Sequence, residues 1–185
     1  KKGGEIAAIQ RNINKVLLQS NPLRSSVALG GCSGTLIGYS KDGSPMVLTA
    51  AHCVRRGGSR NVWLNNLNDG SKADRGVRGI YADVVAYSRR SYQYDETKDL
   101  ALLKLRPGEQ QLAQIEKRGF ARISPRKDFV KVNDKVTMIG CPSSTFYSRS
   151  CTVLRIDQTT GTDSLRTDLE PYKGQSGGGL FKGRH

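Results

Sequence analysis

Apolar residues in this 185-residue chain fall in short runs bounded by glycine, proline, asparagine, aspartate and serine, the spacing of strands rather than of helices. The first half predicts strands over residues 15–19, 33–39, 46–50, 61–65, 80–87 and 100–105. Lys41-Asp42-Gly43-Ser44-Pro45 and Asn66-Leu67-Asn68-Asp69-Gly70-Ser71 have turn compositions, and Trp63 falls at a strand position assigned to the core. The second half predicts strands over 120–124, 135–140, 151–157, 164–168 and 178–181. Arg106-Pro107-Gly108 breaks the chain between the halves; after it, 109–117 is polar with Leu112 and Ile115 three residues apart, a short surface helix. A helical turn is predicted over 5–10. The chain therefore reads as an N-terminal extension (1–14), a first β unit (15–106), a linker (107–119) and a second β unit (120–185). There is no internal repeat, and no apolar stretch approaches the roughly 20 residues that a membrane-crossing helix needs.

Three of these stretches end in chemistry. Gly174-Gln175-Ser176-Gly177-Gly178-Gly179 holds one serine inside a glycine run. Glycine permits positive φ and close backbone approach, so the N–H groups of Gly174 and Ser176 can converge beside the serine hydroxyl as an oxyanion hole. Met46-Val47-Leu48-Thr49-Ala50-Ala51-His52-Cys53 is an apolar strand that delivers a histidine, and Asp99 opens the apolar strand 100–105. A serine nucleophile needs a base to take its proton, and the base needs a carboxylate to fix its tautomer. Ser176 is thus the candidate nucleophile, His52 the base and then the acid that protonates the leaving amine, and Asp99 the orienting carboxylate. Asp95 is the rival acid, but among Tyr94, Glu96 and Lys98 it reads as solvated loop.

The chain resembles the chymotrypsin/trypsin-fold serine proteases. The resemblance is carried by Cys32-Ser33-Gly34-Thr35-Leu36-Ile37, Leu48-Thr49-Ala50-Ala51-His52-Cys53, Asp99-Leu100-Ala101-Leu102-Leu103-Lys104-Leu105 and Gly174-Gln175-Ser176-Gly177-Gly178. It implies an all-β fold of two six-stranded Greek-key barrels, the second incomplete at its C-terminal side, where further strands are expected after residue 181. It also implies a Cys32–Cys53 disulfide clamping the loop of His52. Thr167-Asp168-Leu169-Glu170-Pro171-Tyr172-Lys173-Gly174-Gln175-Ser176 is similar in spacing to bacterial HtrA-type domains, with the glutamyl-endopeptidase branch as the other near match. Animal members pair a new N-terminal amine with an aspartate just before the serine; here that position is Gln175, which has no charge to offer an ammonium. Glu170 lies where trypsins place the acid of their specificity pocket, and Lys173 lies nearby; basic and small apolar P1 side chains stay open, with acidic ones the weakest reading.

Composition adds two constraints. Lys and Arg exceed Asp and Glu to give a formal charge of +14, which favours anionic partners. The basic residues are scattered, however, densest over 117–135, and no aromatic-interleaved basic motif supports nucleic-acid binding. After Cys32 and Cys53, the remaining cysteines are Cys141 and Cys151, for which a hairpin-loop disulfide is the economical reading. Two bridges would imply a secreted or periplasmic location. With two histidines and no C-x-x-C spacing, no metal is expected, and no cofactor. The reading is a serine endopeptidase acting on protein or peptide through an acyl-enzyme. Its alternative is a catalytically silent relative that binds through the basic surface.

Overall fold

The computed structural model describes residues 16–17, 22–54, 58–65, 73, 79–88, 99–124, 128–141, 145–157, 164–170 and 174–183. The expected turns at 5–10 and 66–71, and the residues Asp95 and Lys173, lie outside them. The architecture is all-β with one α-helix among the described residues. A closed antiparallel barrel is formed by β2 (Ser26–Ala28), β3 (Ser33–Tyr39), β4 (Pro45–Thr49), β5 (Ser59–Leu64), β6 (Ile80–Tyr87) and β7 (Ala101–Arg106), in the order β2-β3-β4-β7-β6-β5. Along β7, Ala101, Leu103 and Leu105 are buried, and they meet Val62, Ile80, Ala82, Leu36 and Val47 from the other strands. The period-2 alternation thus fills the barrel interior. Trp63, expected in the core, is only half-buried and packs against its outside.

One strand was misassigned by pattern. Val16–Leu17 (β1) does not enter the barrel; it pairs with β8 (Arg122–Ile123) in a two-stranded ladder. The sixth barrel place belongs to β2, where Ser26, Val27 and Ala28 pair with Thr35, Gly34 and Ser33. The apolar run around Val16 looks more strand-like than Ser26-Val27-Ala28. Yet Ser26 is tolerated in the interior because its hydroxyl donates to the Pro22 carbonyl, 3.1 Å away.

The helix α1 (Glu109–Arg118) follows the predicted linker. Its first turn is held by the Gly108 N–H donating to Gln111 Oε1 at 2.9 Å, and it ends at Gly119, whose φ is 77°. Ile115 is fully buried, and Arg118 is buried with each of its three nitrogens hydrogen-bonded: Nε on Asn65 Oδ1 (3.1 Å), Nη1 on the Gln114 carbonyl (2.8 Å) and Nη2 on the Asn65 carbonyl. A buried guanidinium so bonded fastens the helix to the barrel. No helix among the described residues is long and apolar enough to cross a membrane.

The second half is a four-stranded sheet in the order β11-β10-β9-β12, from β9 (Lys135–Gly140), β10 (Tyr147–Asp157), β11 (Ser164–Thr167) and β12 (Gly179–Phe181). It does not close on itself, as the incomplete second barrel predicted. Val136, Met138, Cys151, Val153, Leu165 and Leu180 are buried in it. Beyond β12, Lys182 Nζ reaches the Phe129 carbonyl (2.6 Å) and Asp134 Oδ2 (2.8 Å).

The cysteines split. Cys32 and Cys53 form a disulfide across a separation of 21 residues. The Cys141–Cys151 bridge does not form, and both remain buried thiols. The reason is register. Strand β10 begins at Tyr147, earlier than the pattern predicted, and Cys151 lies opposite Val136 while Tyr147 lies opposite Gly140. Cys141 therefore sits five residues along β9 from the position facing Cys151. At about 3.3 Å per residue that is roughly 17 Å, far beyond the ~7 Å that a disulfide spans between Cα atoms. Burial pushes the Cys151 thiol up from its ordinary pKa, which keeps it in the unreactive protonated form.

The two halves meet at Ser33. Its N–H donates to the Ser176 carbonyl (2.8 Å) and its hydroxyl donates to the Gly174 carbonyl (3.1 Å) while accepting from the Cys141 N–H (2.7 Å). Its own carbonyl accepts from Thr49 Oγ1 at 2.8 Å. Ser33→Ala removes two of these bonds and leaves the buried Cys141 N–H without this acceptor. The expected loss is about 1–3 kcal/mol, read as a lower denaturant midpoint at unchanged slope; an unchanged midpoint would contradict it. For the cysteines, a thiol reagent applied without reductant should label Cys141 and Cys151, and neither Cys32 nor Cys53, once the protein is unfolded. Peptide mass spectrometry that found label on all four, or on none, would overturn the assignment.

Candidate active site

Strand β4 delivers the histidine. It ends at Thr49, Ala50 stays extended, and Ala51–Cys53 folds into a single 3-10 turn closed by Cys53 N–H to Ala50 carbonyl (3.1 Å) and Val54 N–H to Ala51 carbonyl (3.2 Å). The disulfide from Cys53 to Cys32, just before β3, pins this turn to the neighbouring strand. The backbone of His52 is thereby fixed on both sides.

The aspartate comes from just before the neighbouring strand, β7, which pairs with β4 and sets Ala101 opposite Thr49. Asp99 lies two residues before β7, and the next residue is clamped: the Leu100 N–H donates to Ser88 Oγ (2.6 Å), and the Ser88 N–H and Oγ donate to the Leu100 carbonyl (2.8 and 2.9 Å). The Asp99 carboxylate is 2% exposed, and each oxygen has one acceptor role toward the same residue. Oδ1 accepts the His52 backbone N–H at 2.8 Å, and Oδ2 lies 2.5 Å from His52 Nδ1. A buried carboxylate is costly unless hydrogen-bonded. Here both bonds hold the imidazole in one plane and assign the proton to Nδ1, leaving Nε2 as the basic nitrogen.

Ser176 sits at the junction. Its carbonyl takes the Ser33 N–H, and the Cys53 sulfur lies 3.7 Å from the same oxygen, so the serine backbone touches the residue next to His52. Gly174 and Gly177 on either side have φ of 91° and 83°, left-handed values that side-chain-bearing residues rarely adopt. At Gly177 space alone would exclude a Cβ, which would overlap the Ser33 carbonyl oxygen and Thr49 Oγ1 and stand 3.2 Å from the Ala50 nitrogen. The glycine run is therefore a docking requirement that presses the serine loop against the histidine strand. Among the described residues, neither the Gly174 N–H nor the Ser176 N–H has an acceptor within the chain.

The remaining expected residues are less closely drawn in. Glu170 is exposed rather than enclosed, and Lys173 lies outside the described residues. Gln175 is 3% exposed, its Cγ would be 3.1 Å from a Cβ on Gly140, and neither its amide oxygen nor its amide nitrogen has a hydrogen-bond partner among the described residues. Sulfurs of Cys32 and Cys53 approach the His52 ring closely enough to resemble a metal cluster, but both sulfurs are committed to the disulfide and offer no thiolate. Sequence reasoning missed Ser33, Thr49 and Ser88, the groups that hold the three candidate residues in place. Ser33 and Thr49 lay inside quoted motifs, but a small polar residue in a strand carries no signal of what its hydroxyl will meet.

Comparison with known proteins agrees with this fold. The model of the trypsin-like peptidase domain matches residues 32–185. No curated protein matches the chain significantly. Among solved structures it is similar to the MamO protease domain from Magnetospirillum magneticum in its apo form, at 20% identity over 88% of this chain and 80% of that one, with a TM-score of 0.53. It is also similar to Deg5 (19% identity, 94% and 79% covered, TM-score 0.56) and to human heparin binding protein (16% identity, 88% and 78% covered, TM-score 0.59). At these identities the structural likeness speaks for the fold. With the family model matched from Cys32 to the end of the sequence, the chain belongs to the trypsin-like peptidase family.

Proposed function

We propose that the chain is a serine endopeptidase that cleaves peptide bonds through an acyl-enzyme on Ser176. The observation that carries this is the paired contact of one buried carboxylate, Asp99, with both the ring and the backbone of His52. A structural histidine has no need of a carboxylate that fixes its tautomer; a general base does. In the first step Ser176 Oγ attacks the substrate carbonyl carbon while His52 Nε2 takes the hydroxyl proton. The N–H groups of Gly174 and Ser176 receive the oxyanion, a contribution of about 3–4 kcal/mol per donor in enzymes of this kind. His52 then gives its proton to the leaving amine, and water repeats the sequence on the acyl group. Every proton moved belongs to the chain, substrate or water.

The exposed position of Glu170 does not supply the enclosed carboxylate that a basic P1 side chain would pair with, which favours a small apolar P1 residue. The Cys32–Cys53 disulfide supports an oxidising compartment, secreted or periplasmic.

A fluorophosphonate probe should label the protein at Ser176, and Ser176→Ala should lose both labelling and hydrolysis with an unchanged circular dichroism spectrum. A folded wild-type protein that resists the probe is a silent binding module instead. The reaction should also need neutral His52. Activity is then absent at acidic pH and rises as His52 loses its proton, through the range of about 6–7 usual for histidine. Asp99→Asn should lower kcat by about 10³–10⁴-fold, because the wrong tautomer then faces the serine. A flat pH profile with chemistry rate-limiting would remove His52 as the base.

A further inference from the structure

Strand β2 leaves its partner early. It pairs with β5 only at Val27↔Leu64 and Ala28↔Trp63, while β5 runs on to Ser59 against β6. Where the Leu29-Gly30 segment parts from β5, a groove of about 340 Å³ opens, lined by Leu29, Gly30, Arg60, Asn61, Trp63 and Tyr81. The Trp63 indole forms part of its wall and abuts Gly79, where a Cβ would stand 3.0 Å from the ring. Tyr81 is 47% exposed beside it.

Among its described lining residues the groove has one cation. Arg60 Nη2 donates to the Gly30 carbonyl at 3.2 Å, its only acceptor among the described residues. Its Nε–H is shielded from water and has no partner. A guanidinium carries five donors and cannot give up its charge, so this one is far from saturated. The acidic group two residues along β6 from Tyr81, Asp83, is held by Arg106 at 2.6 Å, and the Arg106 guanidinium lies over the Tyr81 ring. Asp83 is therefore engaged away from Arg60.

We infer that this groove binds a peptide segment in which a carboxylate side chain adjoins an aromatic or large apolar one. The carboxylate pairs with Arg60, and the apolar neighbour lies against Trp63 and Tyr81. The pairing is a charge-assisted fork of the kind arginine makes best, and the aromatic walls supply contact area at low entropy cost. A linear polyanion is the poorer fit, because a row of sulfates or phosphates needs several cations in line and only Arg60 is present among the lining residues. The groove is linked to the candidate site through the chain: the Leu29 N–H donates to the Cys32 carbonyl at 2.9 Å, and Cys32 is bonded to Cys53, the residue after His52. A bound acidic–apolar segment would be part of a protein substrate, a statement that rests on the peptidase reading; the binding itself does not.

Trp63 is the only tryptophan in the sequence, so its emission reports directly on the groove. The Ser176→Ala protein should be titrated with the blocked hexapeptide acetyl-Gly-Gly-Glu-Phe-Gly-Gly-amide and with its twin carrying Gln for Glu. The Glu peptide should shift the emission and bind about tenfold more tightly than the twin. Arg60→Gln should erase that difference, and Tyr81→Ala, at an exposed position, should weaken both peptides while leaving their ratio. Equal binding of the two peptides, or a difference that survives Arg60→Gln with an unchanged melting curve, overturns the inference. So does a Trp63 response to heparin with none to the Glu peptide. Fluorophosphonate labelling of the wild type keeps the two readings apart. No Glu preference in the Ser176→Ala protein, with the wild type labelled, sinks only the groove; a Glu preference there, with the wild type unlabelled, sinks only the peptidase.

Discussion

One serine hydroxyl and its two peptide groups hold the halves of this protein in register. Ser33 belongs to the barrel by its ladder with Ala28, yet its N–H and Oγ reach Ser176, Gly174 and Cys141 in the second half. Such bonds join residues more than 100 positions apart and lie out of water, where an unmade bond costs far more than a made one gains. The consequence is positional. Ser176 is placed by its carbonyl, from behind, and Gly177 is forced against Thr49 and Ala50 by the absence of any room for a side chain. The histidine strand and the serine loop are therefore not two independent structures that happen to meet. They share Ser33, which bonds the serine loop through its N–H and hydroxyl and Thr49 of the histidine strand through its carbonyl.

This explains how far the chain could be read without its structure. The barrel strands were legible because each carries an alternation that the interior enforces, as at Ala101, Leu103 and Leu105. His52, Asp99 and Ser176 stand out as candidates because the chemistry expected of them requires unusual neighbours, small residues and glycines, which leave a mark on the sequence. The errors came where long-range pairing outvoted local composition. Val16–Leu17 reads as a strand and is one, but its partner is Arg122–Ile123, and nothing local distinguishes that partner from β3. The register of β9 with β10 decided the fate of Cys141 and Cys151; a strand start misjudged by four residues turned two thiols some five positions apart into an apparent hairpin bridge. Trp63 was placed in the core by its residue type, whereas it packs on the outside of the barrel where β2 has left the ladder.

Local rules are broken in one further place, and it lies directly under the candidate nucleophile. Gln175 buries an amide with no hydrogen bond among the described residues, at an expected cost of about 1–3 kcal/mol. Native chains hold very few such groups, and those they hold concentrate where function needs a particular backbone. Between two left-handed glycines, Gln175 has its Cα path fixed by neighbours rather than by its own preferences: its carbonyl accepts the Gly178 N–H at 3.1 Å, and its side chain is carried inward toward Gly140. The amide follows the backbone. An uncharged group tolerates that position where a carboxylate would require a cation, so the side chain itself does not call for an ammonium partner.

The two halves also differ in how firmly they hold what they present. His52 and Asp99 stand on a closed barrel whose six strands leave no open edge, and each is clamped again, by the disulfide at Cys53 and by Ser88 at Leu100. Ser176 precedes β12, a strand of three residues at the edge of an open sheet. Regions with few ladder bonds open locally at lower free energy than a closed barrel does. The candidate base and its carboxylate therefore form the rigid reference, and under the proposed function the candidate nucleophile is the part that must be brought to them. Its own strand can do little of that work. The alignment falls instead to Ser33 and to the contact of Gly177 with the histidine strand, which is why the groups that govern this site are found in β3 and β4 and not in the loop that carries the serine.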